Sequence, residues 1–198
     1  MESPPNPQLW LLAGGNGAGK STYYERFLKP GGMIFVNADL VAREINPSDP
    51  ESVSYEAAQK VEAIRLGYLE QSVNFAFETV FSHPSKIDFV ARAKALGYST
   101  VLVYIHLVSI ELNQARVSQR VAQGGHSVPP DKVASRIPRT VDNIRQALPL
   151  FDQAYLYDNS SATHPHQLVA QVDHGHITRK IPTLPEWAET ILEGVVRG

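Results

Sequence analysis

The chain has no cysteine, which excludes disulfides and thiolate chemistry and fits a reducing cytosol. It also has no basic excess: 18 Lys and Arg stand against 20 Asp and Glu, for a formal net charge of −2. A protein that holds nucleic acid through its general surface carries a strong positive surplus, so that class is set aside. Apolar runs are short. Val101-Leu102-Val103-Tyr104-Ile105 is among the longest, against the roughly 20 residues a membrane helix needs. The seven histidines are scattered, and without cysteine or an H-E-x-x-H pattern they form no metal-site signature. Residues 1–7, Met1-Glu2-Ser3-Pro4-Pro5-Asn6-Pro7, are acidic and proline-rich, the pattern of a disordered lead-in rather than a signal peptide. What is present suits one domain over 8–198: the chain has 198 residues, 43% of them hydrophobic, enough to bury a core.

The most informative feature is the segment Gly14-Gly15-Asn16-Gly17-Ala18-Gly19-Lys20-Ser21, followed by Thr22. It reads G-x-x-x-x-G-K-[ST], the phosphate-binding loop of nucleoside-triphosphate enzymes. Its flanks agree. Leu9-Trp10-Leu11-Leu12-Ala13 is wholly apolar, as a buried parallel strand is, and Ser21 to Leu28 can continue as a helix up to Pro30 and Gly31-Gly32. Strand, glycine loop and helix in this order aim backbone N–H groups at one point, which attracts a polyphosphate. Lys20 is placed to meet the β- and γ-phosphates, and the Ser21 hydroxyl to ligate Mg²⁺. The N-K-x-D guanine signature is missing, which favours ATP over GTP.

The rest of the chain alternates strand and helix patterns. Strands are expected at Met33–Asn37, Phe75–Thr79, Thr100–Leu107 and Ala154–Asp158. Ser48-Asp49-Pro50-Glu51 has capping-box spacing and opens a helix with Ala57, Val61, Ile64 and Tyr68 on its apolar face. Further helices are expected over Ile87–Leu96, Glu111–Gln123, Asp131–Ala147 and Pro185–Val196. Leu168–Ile181 reads as an edge hairpin turning at Asp173-His174-Gly175. The pattern predicts an α/β fold of the P-loop NTPase type: a parallel sheet flanked by helices, with its ligand site at the strand C-termini.

Three groups of residues are candidates for chemistry beside the loop. Asp39, past the second strand, can accept a proton from a substrate hydroxyl or hold Mg²⁺ through water, or it can be a capping aspartate. Glu78 and Thr79 end the third strand on the same edge and can orient a polar acceptor. The segment Arg116 to Arg145 carries Arg116, Arg120, Lys132, Arg136, Arg139 and Arg145 against Asp131 and Asp142, a net +4 in a chain of net −2. Two arginine-bearing helices joined by a Gly/Pro loop suggest a lid, about 111–147, that closes over the triphosphate. His126 in that loop reads as a hydrogen-bonding residue, and Asp158-Asn159-Ser160 as the place where adenine lies in this fold class.

These pieces resemble the zeta-toxin-like P-loop kinases. The resemblance rests on Gly14 to Thr22, on Asn37-Ala38-Asp39 with Arg43 and Pro47, and on Phe77-Glu78-Thr79. The specific part is the stretch from Arg116-Val117 through Gly124-Gly125-His126-Ser127-Val128-Pro129 to Arg136, Pro138 and Arg139. It implies transfer of ATP's γ-phosphate to a hydroxyl of a small molecule, with a UDP-N-acetyl sugar as the first candidate, and a small antitoxin as partner. It also implies Lys20, Ser21 and Thr22 on triphosphate and Mg²⁺, Asp39 as base, Arg43, Glu78 and Thr79 at the acceptor, and Arg120 with Arg136 or Arg139 in the lid. Two other readings stay open: a kinase of nucleosides or nucleic-acid ends, and a slow ATPase acting as a nucleotide-binding switch. A cytoplasmic protein with neither membrane nor nucleic acid as partner is expected.

Overall fold

In the computed structural model, residues 6–107, 130–161 and 163–197 are described. The expected helix Glu111–Gln123, with Arg116 and Arg120, and the loop holding His126 lie outside the described residues, as does most of the expected lead-in. Eight strands form one sheet: β1 Gln8–Ala13, β2 Ile34–Val36, β3 Phe75–Thr79, β4 Ser99–His106, β5 Gln153–Asp158, β6 Gln167–Asp173, β7 His176–Lys180 and β8 Val196–Arg197. Their order is β2-β3-β1-β4-β5-β6-β7-β8. The first five strands in that row are parallel neighbours, β6 and β7 add antiparallel pairs, and β8 pairs parallel to β7. The described helices are α1 Lys20–Tyr23, α2 Ala38–Ile45, α3 Ser54–Glu70, α4 Ser85–Ala95, α5 Pro130–Ala147 and α6 Glu186–Leu192.

Both faces of the sheet are covered, which is why its central strands read as nearly continuous apolar runs. On one face Leu9, Leu11, Phe75, Phe77, Leu102, Tyr104 and Leu156 pack with buried residues of α2 to α6. On the other, Leu12, Ala76, Val103 and Ile105 meet Ala18, Tyr23 and Leu28 from the loop and the helical segment after it. That segment is α1 continued by a π-helical turn over Tyr24–Leu28 and a short 3₁₀ turn to Gly31.

Several elements differ from expectation, each for a local reason. No helix is expected between Asn37 and Ser48, yet α2 is there. Asn37 is its N-cap, with its side-chain oxygen accepting from the Asp39 N–H at 2.7 Å and the Leu40 N–H at 3.3 Å. Ser48 is not a cap: its hydroxyl donates to the Asn46 side chain, while the Asp49 carboxylate accepts the Ser52 N–H. The chain then makes one 3₁₀ turn, and α3 begins at Ser54. The buried face of α3 is Ala57, Val61, Arg65 and Leu69, so it includes an arginine, with Ile64 and Tyr68 at its margin. The last helix stops at Leu192 instead of running to Val196, because Gly194 turns the chain at φ +81° and Val196–Arg197 joins β7.

Candidate functional site

The glycine loop leaves β1 at Gly14, whose φ is +146°. A Cβ at this position would stand 2.3 Å from the Ile105 carbonyl oxygen of β4, so only glycine fits. At the other end Gly19 has φ +99°, and a Cβ there would lie 2.5 Å from Asn159 Nδ2. The loop is thus held between the end of β4 and the segment after β5. Asn159 is buried and fully engaged: Nδ2 donates to the Ala18 carbonyl at 2.8 Å, Oδ1 accepts the His166 N–H at 3.0 Å, and its own N–H donates to the His106 carbonyl. The residue expected beside adenine therefore holds the phosphate loop in shape. Its partners Ala18 and His166 are remote or unmotivated in sequence, so its task was not readable there.

Inside this frame Lys20 is 8% exposed, and its Nζ donates to the Gly14 and Gly15 carbonyls at 2.9 and 3.0 Å. Asn16 Oδ1 is buried with no hydrogen-bond partner among the described residues. Ser21 Oγ donates to the Glu78 carboxylate at 2.8 Å. Thr22 is exposed. The sheet explains the Ser21–Glu78 contact. β3 lies beside β1 with Glu78 level with Leu12, and strand alternation turns Glu78 to the α1 face and Phe77 to the other. Thr79 Oγ1 accepts the Phe81 N–H at 3.0 Å. The two residues expected to act together thus have separate first partners. Phe81 is fully buried at φ +63°, a strained conformation for an aromatic residue. Two α5 side chains hold this turn: Thr140 donates to the Val80 carbonyl and Asn143 to the Phe81 carbonyl, at 2.9 and 3.0 Å.

Asp39 is half-buried in the first turn of α2, and capping of that helix falls to Asn37. The order β2-β3-β1 puts Glu78-Thr79 between Asp39 and the glycine loop. Two inter-strand steps span about 10 Å. Arg43 follows one helical turn after Asp39 and is exposed. On α5, Arg136 is half-buried and Arg139 exposed. Arg145 turns to Asp142 and Glu193, at 3.5 and 4.0 Å. From Thr140 to Ala147 the inner face of α5 is core.

His106 ends β4 next to the loop. Its Nδ1 lies 2.7 Å from the Tyr104 hydroxyl, and its ring stacks on Trp187 at 4.6 Å and 16°. Burial pushes its pKa down to about 4, against a smaller opposing pull from Asp158. Among the described residues no group of three or more His, Asp or Glu could hold a metal by itself, and no helix is long and apolar enough to cross a membrane.

The sequence model of the zeta toxin family matches residues 1–168. An uncharacterized protein of Haemophilus influenzae is 32% identical over 136 residues, which are 65% of this chain and 96% of that protein. Among solved structures, the AvrRxo1-ORF1:-ORF2 complex with ATP aligns with a TM-score of 0.71 at 20% identity, over 97% of this chain and 64% of the matched one. The PezAT chromosomal toxin-antitoxin system of Streptococcus pneumoniae aligns at 0.69 and 18%, over 98% and 80%. This chain thus spans just under two thirds of the matched AvrRxo1 chain. The structural likenesses agree with the P-loop kinase fold built above from the strand order and the glycine loop. With its family pattern covering most of its length, the chain belongs to the zeta toxin family.

Proposed function

We propose that the protein is an ATP-dependent kinase that transfers the γ-phosphate to a hydroxyl of a small polar molecule. The observation that carries this reading is the row Asp39, Glu78-Thr79 and Lys20-Ser21 along one sheet edge, with the glycine loop at one end and a carboxylate not used for capping at the other. The loop N–H groups and Lys20 bind the β- and γ-phosphates, and Lys20 exchanges its bonds to the Gly14 and Gly15 carbonyls for phosphate oxygens. Ser21 and Glu78 offer the hard oxygen donors that suit Mg²⁺, directly and through water. Mg²⁺ held there would supply neutralisation of charge on the β- and γ-phosphate oxygens. Asp39 takes the proton of the acceptor hydroxyl as its oxygen bonds to the γ-phosphorus and the bond to ADP breaks. Arg136 or Arg139, with Arg120, stabilises charge on the transferred group.

The family supplies the first acceptor to try, UDP-N-acetylglucosamine, and a small antitoxin as partner; the relative from Streptococcus pneumoniae is a toxin-antitoxin system. A screen of UDP-sugars, amino-sugars and nucleosides for ADP release above the ATP-only background tests the proposal. A rise with one hydroxyl compound, lost in Lys20→Ala, supports it. A background that no acceptor raises favours the nucleotide switch.

A further inference from the structure

The turn that follows β3 is held from a distant helix. Phe81 is a fully buried aromatic residue at φ +63°, where a side chain is disfavoured. Its N–H donates locally, to Thr79 Oγ1 at 3.0 Å. The two carbonyls of the turn are instead satisfied by α5: Thr140 Oγ1 donates to Val80 at 2.9 Å and Asn143 Nδ2 to Phe81 at 3.0 Å, across 60 and 62 positions of sequence. Both donors are buried, at 1% and 7% exposure, on a helix face that is otherwise core. Valine and leucine would fill those two places without burying polar atoms, so packing alone does not account for them. Strained residues persist where their surroundings over-determine them, and they gather at functional sites.

What α5 carries beside these anchors gives the clamp a use. The helix passes through Leu148–Leu150 into β5, which is parallel to β4 and, through it, to β1 and β3. It therefore runs back along the sheet, and its residues before Thr140 stand past the strand C-termini, at the edge that holds the glycine loop and Glu78-Thr79. Arg136 precedes Thr140 by four residues and Arg139 precedes Asn143 by four, so each arginine lies one helical turn beyond an anchor and on its side of the helix. Pro138 lies in this stretch and cannot donate the usual hydrogen bond to the preceding turn. The anchors tie the helix to the end of β3 just where its own ladder is weakened.

We propose that Thr140 and Asn143 are positioning residues for phosphoryl transfer: by holding the Val80 and Phe81 carbonyls they lock the strained turn and set the α5 arginines against Thr79 and the γ-phosphate. The inference rests on the kinase reading and adds to it two residues that act through others. The test compares Thr140→Val and Asn143→Leu, which keep shape and lose the donor, with Thr140→Ser, which keeps the hydroxyl. Calorimetry on the full chain at saturating Mg²⁺ measures the affinity for ADP and for a non-hydrolysable ATP analogue. Thr140→Val and Asn143→Leu are expected to hold ADP as wild type does and to bind the analogue about tenfold more weakly, the loss of a charge-assisted contact to the γ-phosphate. Thr140→Ser should restore it. Hydrogen exchange over residues 79–82 should quicken in the same two variants. Turnover with an acceptor at saturating substrates should fall about a hundredfold, the cost of misplacing reacting groups by about 1 Å. If no acceptor stimulates wild-type turnover, the kinase reading fails, while the ratio of the two nucleotide affinities still reports on the clamp. The Thr140 pair decides if Asn143→Leu does not fold. A merely structural clamp would lower Tm and leave that ratio alone. An unchanged ratio in folded Thr140→Val, or no recovery in Thr140→Ser, overturns the proposal.

Discussion

The Ser21 hydroxyl and the Glu78 carboxylate, 57 positions apart in sequence, meet at 2.8 Å where α1 leaves the glycine loop. Glu78 reaches Ser21 because β3 neighbours β1 and strand alternation turns its side chain to the α1 face. If Ser21 holds Mg²⁺ as proposed, Glu78 stands beside the metal as well as beside the acceptor. Outer-shell partners of a metal site typically contribute ten- to hundredfold to affinity or activity. Glu78→Gln should therefore raise the Mg²⁺ concentration needed for half-maximal turnover by about that factor, with little change in ADP affinity at saturating Mg²⁺. An unchanged Mg²⁺ dependence returns Glu78 to a purely acceptor-facing role.

Asn159 should set nucleotide affinity without touching nucleotide. Its amide satisfies the Ala18 carbonyl, and losing that bond leaves a buried acceptor unpaired, at about 1–3 kcal/mol. Asn159→Ala is expected to weaken Mg·ADP binding about tenfold by calorimetry while the unfolding transition stays cooperative. Retained affinity would reduce Asn159 to a passive spacer.

Gly14 tests the frame from its other end. A methyl group there collides with the Ile105 carbonyl at 2.3 Å in a backbone conformation that disfavours any side chain. Gly14→Ala should lower unfolding free energy by at least about 2 kcal/mol in urea denaturation. Wild-type stability in that variant would mean that the loop leaves β1 by another path.

His106 gives the fold a pH dependence of known sign. Its folded pKa of about 4 lies below the ordinary value of 6.5, so between these values the unfolded chain binds more protons. Stability contributed by the neutral, buried ring is present above pH 6.5 and declines as pH falls toward 4. The full shift corresponds to about 3 kcal/mol. His106→Asn, which keeps a polar atom near Tyr104 but cannot titrate, should flatten Tm between pH 6.5 and 4.5. An equal slope in both proteins would assign the loss to other groups.

Much of this architecture is legible in the sequence because it rests on local signals. The glycine loop, the apolar β1, β3 and β4 strands, the hairpin turning at His174-Gly175 and the span of α5 all follow from short patterns. What is not legible depends on contacts between distant segments. Nothing near Asn159 announces that its amide holds Ala18, and nothing near Glu78 announces Ser21. Arg65 breaks the apolar stripe of α3 because Phe77 and Phe89 give its guanidinium faces to lie on, a fact of packing. Helix α2 escapes because Asn37, which reads as the end of a strand, is also its cap. The Ser48 signal misleads because a nearby Asn and Asp compete for the same backbone groups.

The central claim is transfer of a phosphoryl group to a hydroxyl, and one measurement tests it most directly. The protein is incubated with γ-labelled ATP, Mg²⁺ and a metabolite extract containing UDP-sugars, and the products are separated. The account predicts label in a new organic phosphate. It predicts that Lys20→Ala abolishes that product, and that Asp39→Asn cuts its rate about a hundred- to ten-thousandfold while ATP binding is retained. Label appearing only as inorganic phosphate, at the same rate in wild type and Asp39→Asn, would contradict it and leave a nucleotide switch in place of a kinase.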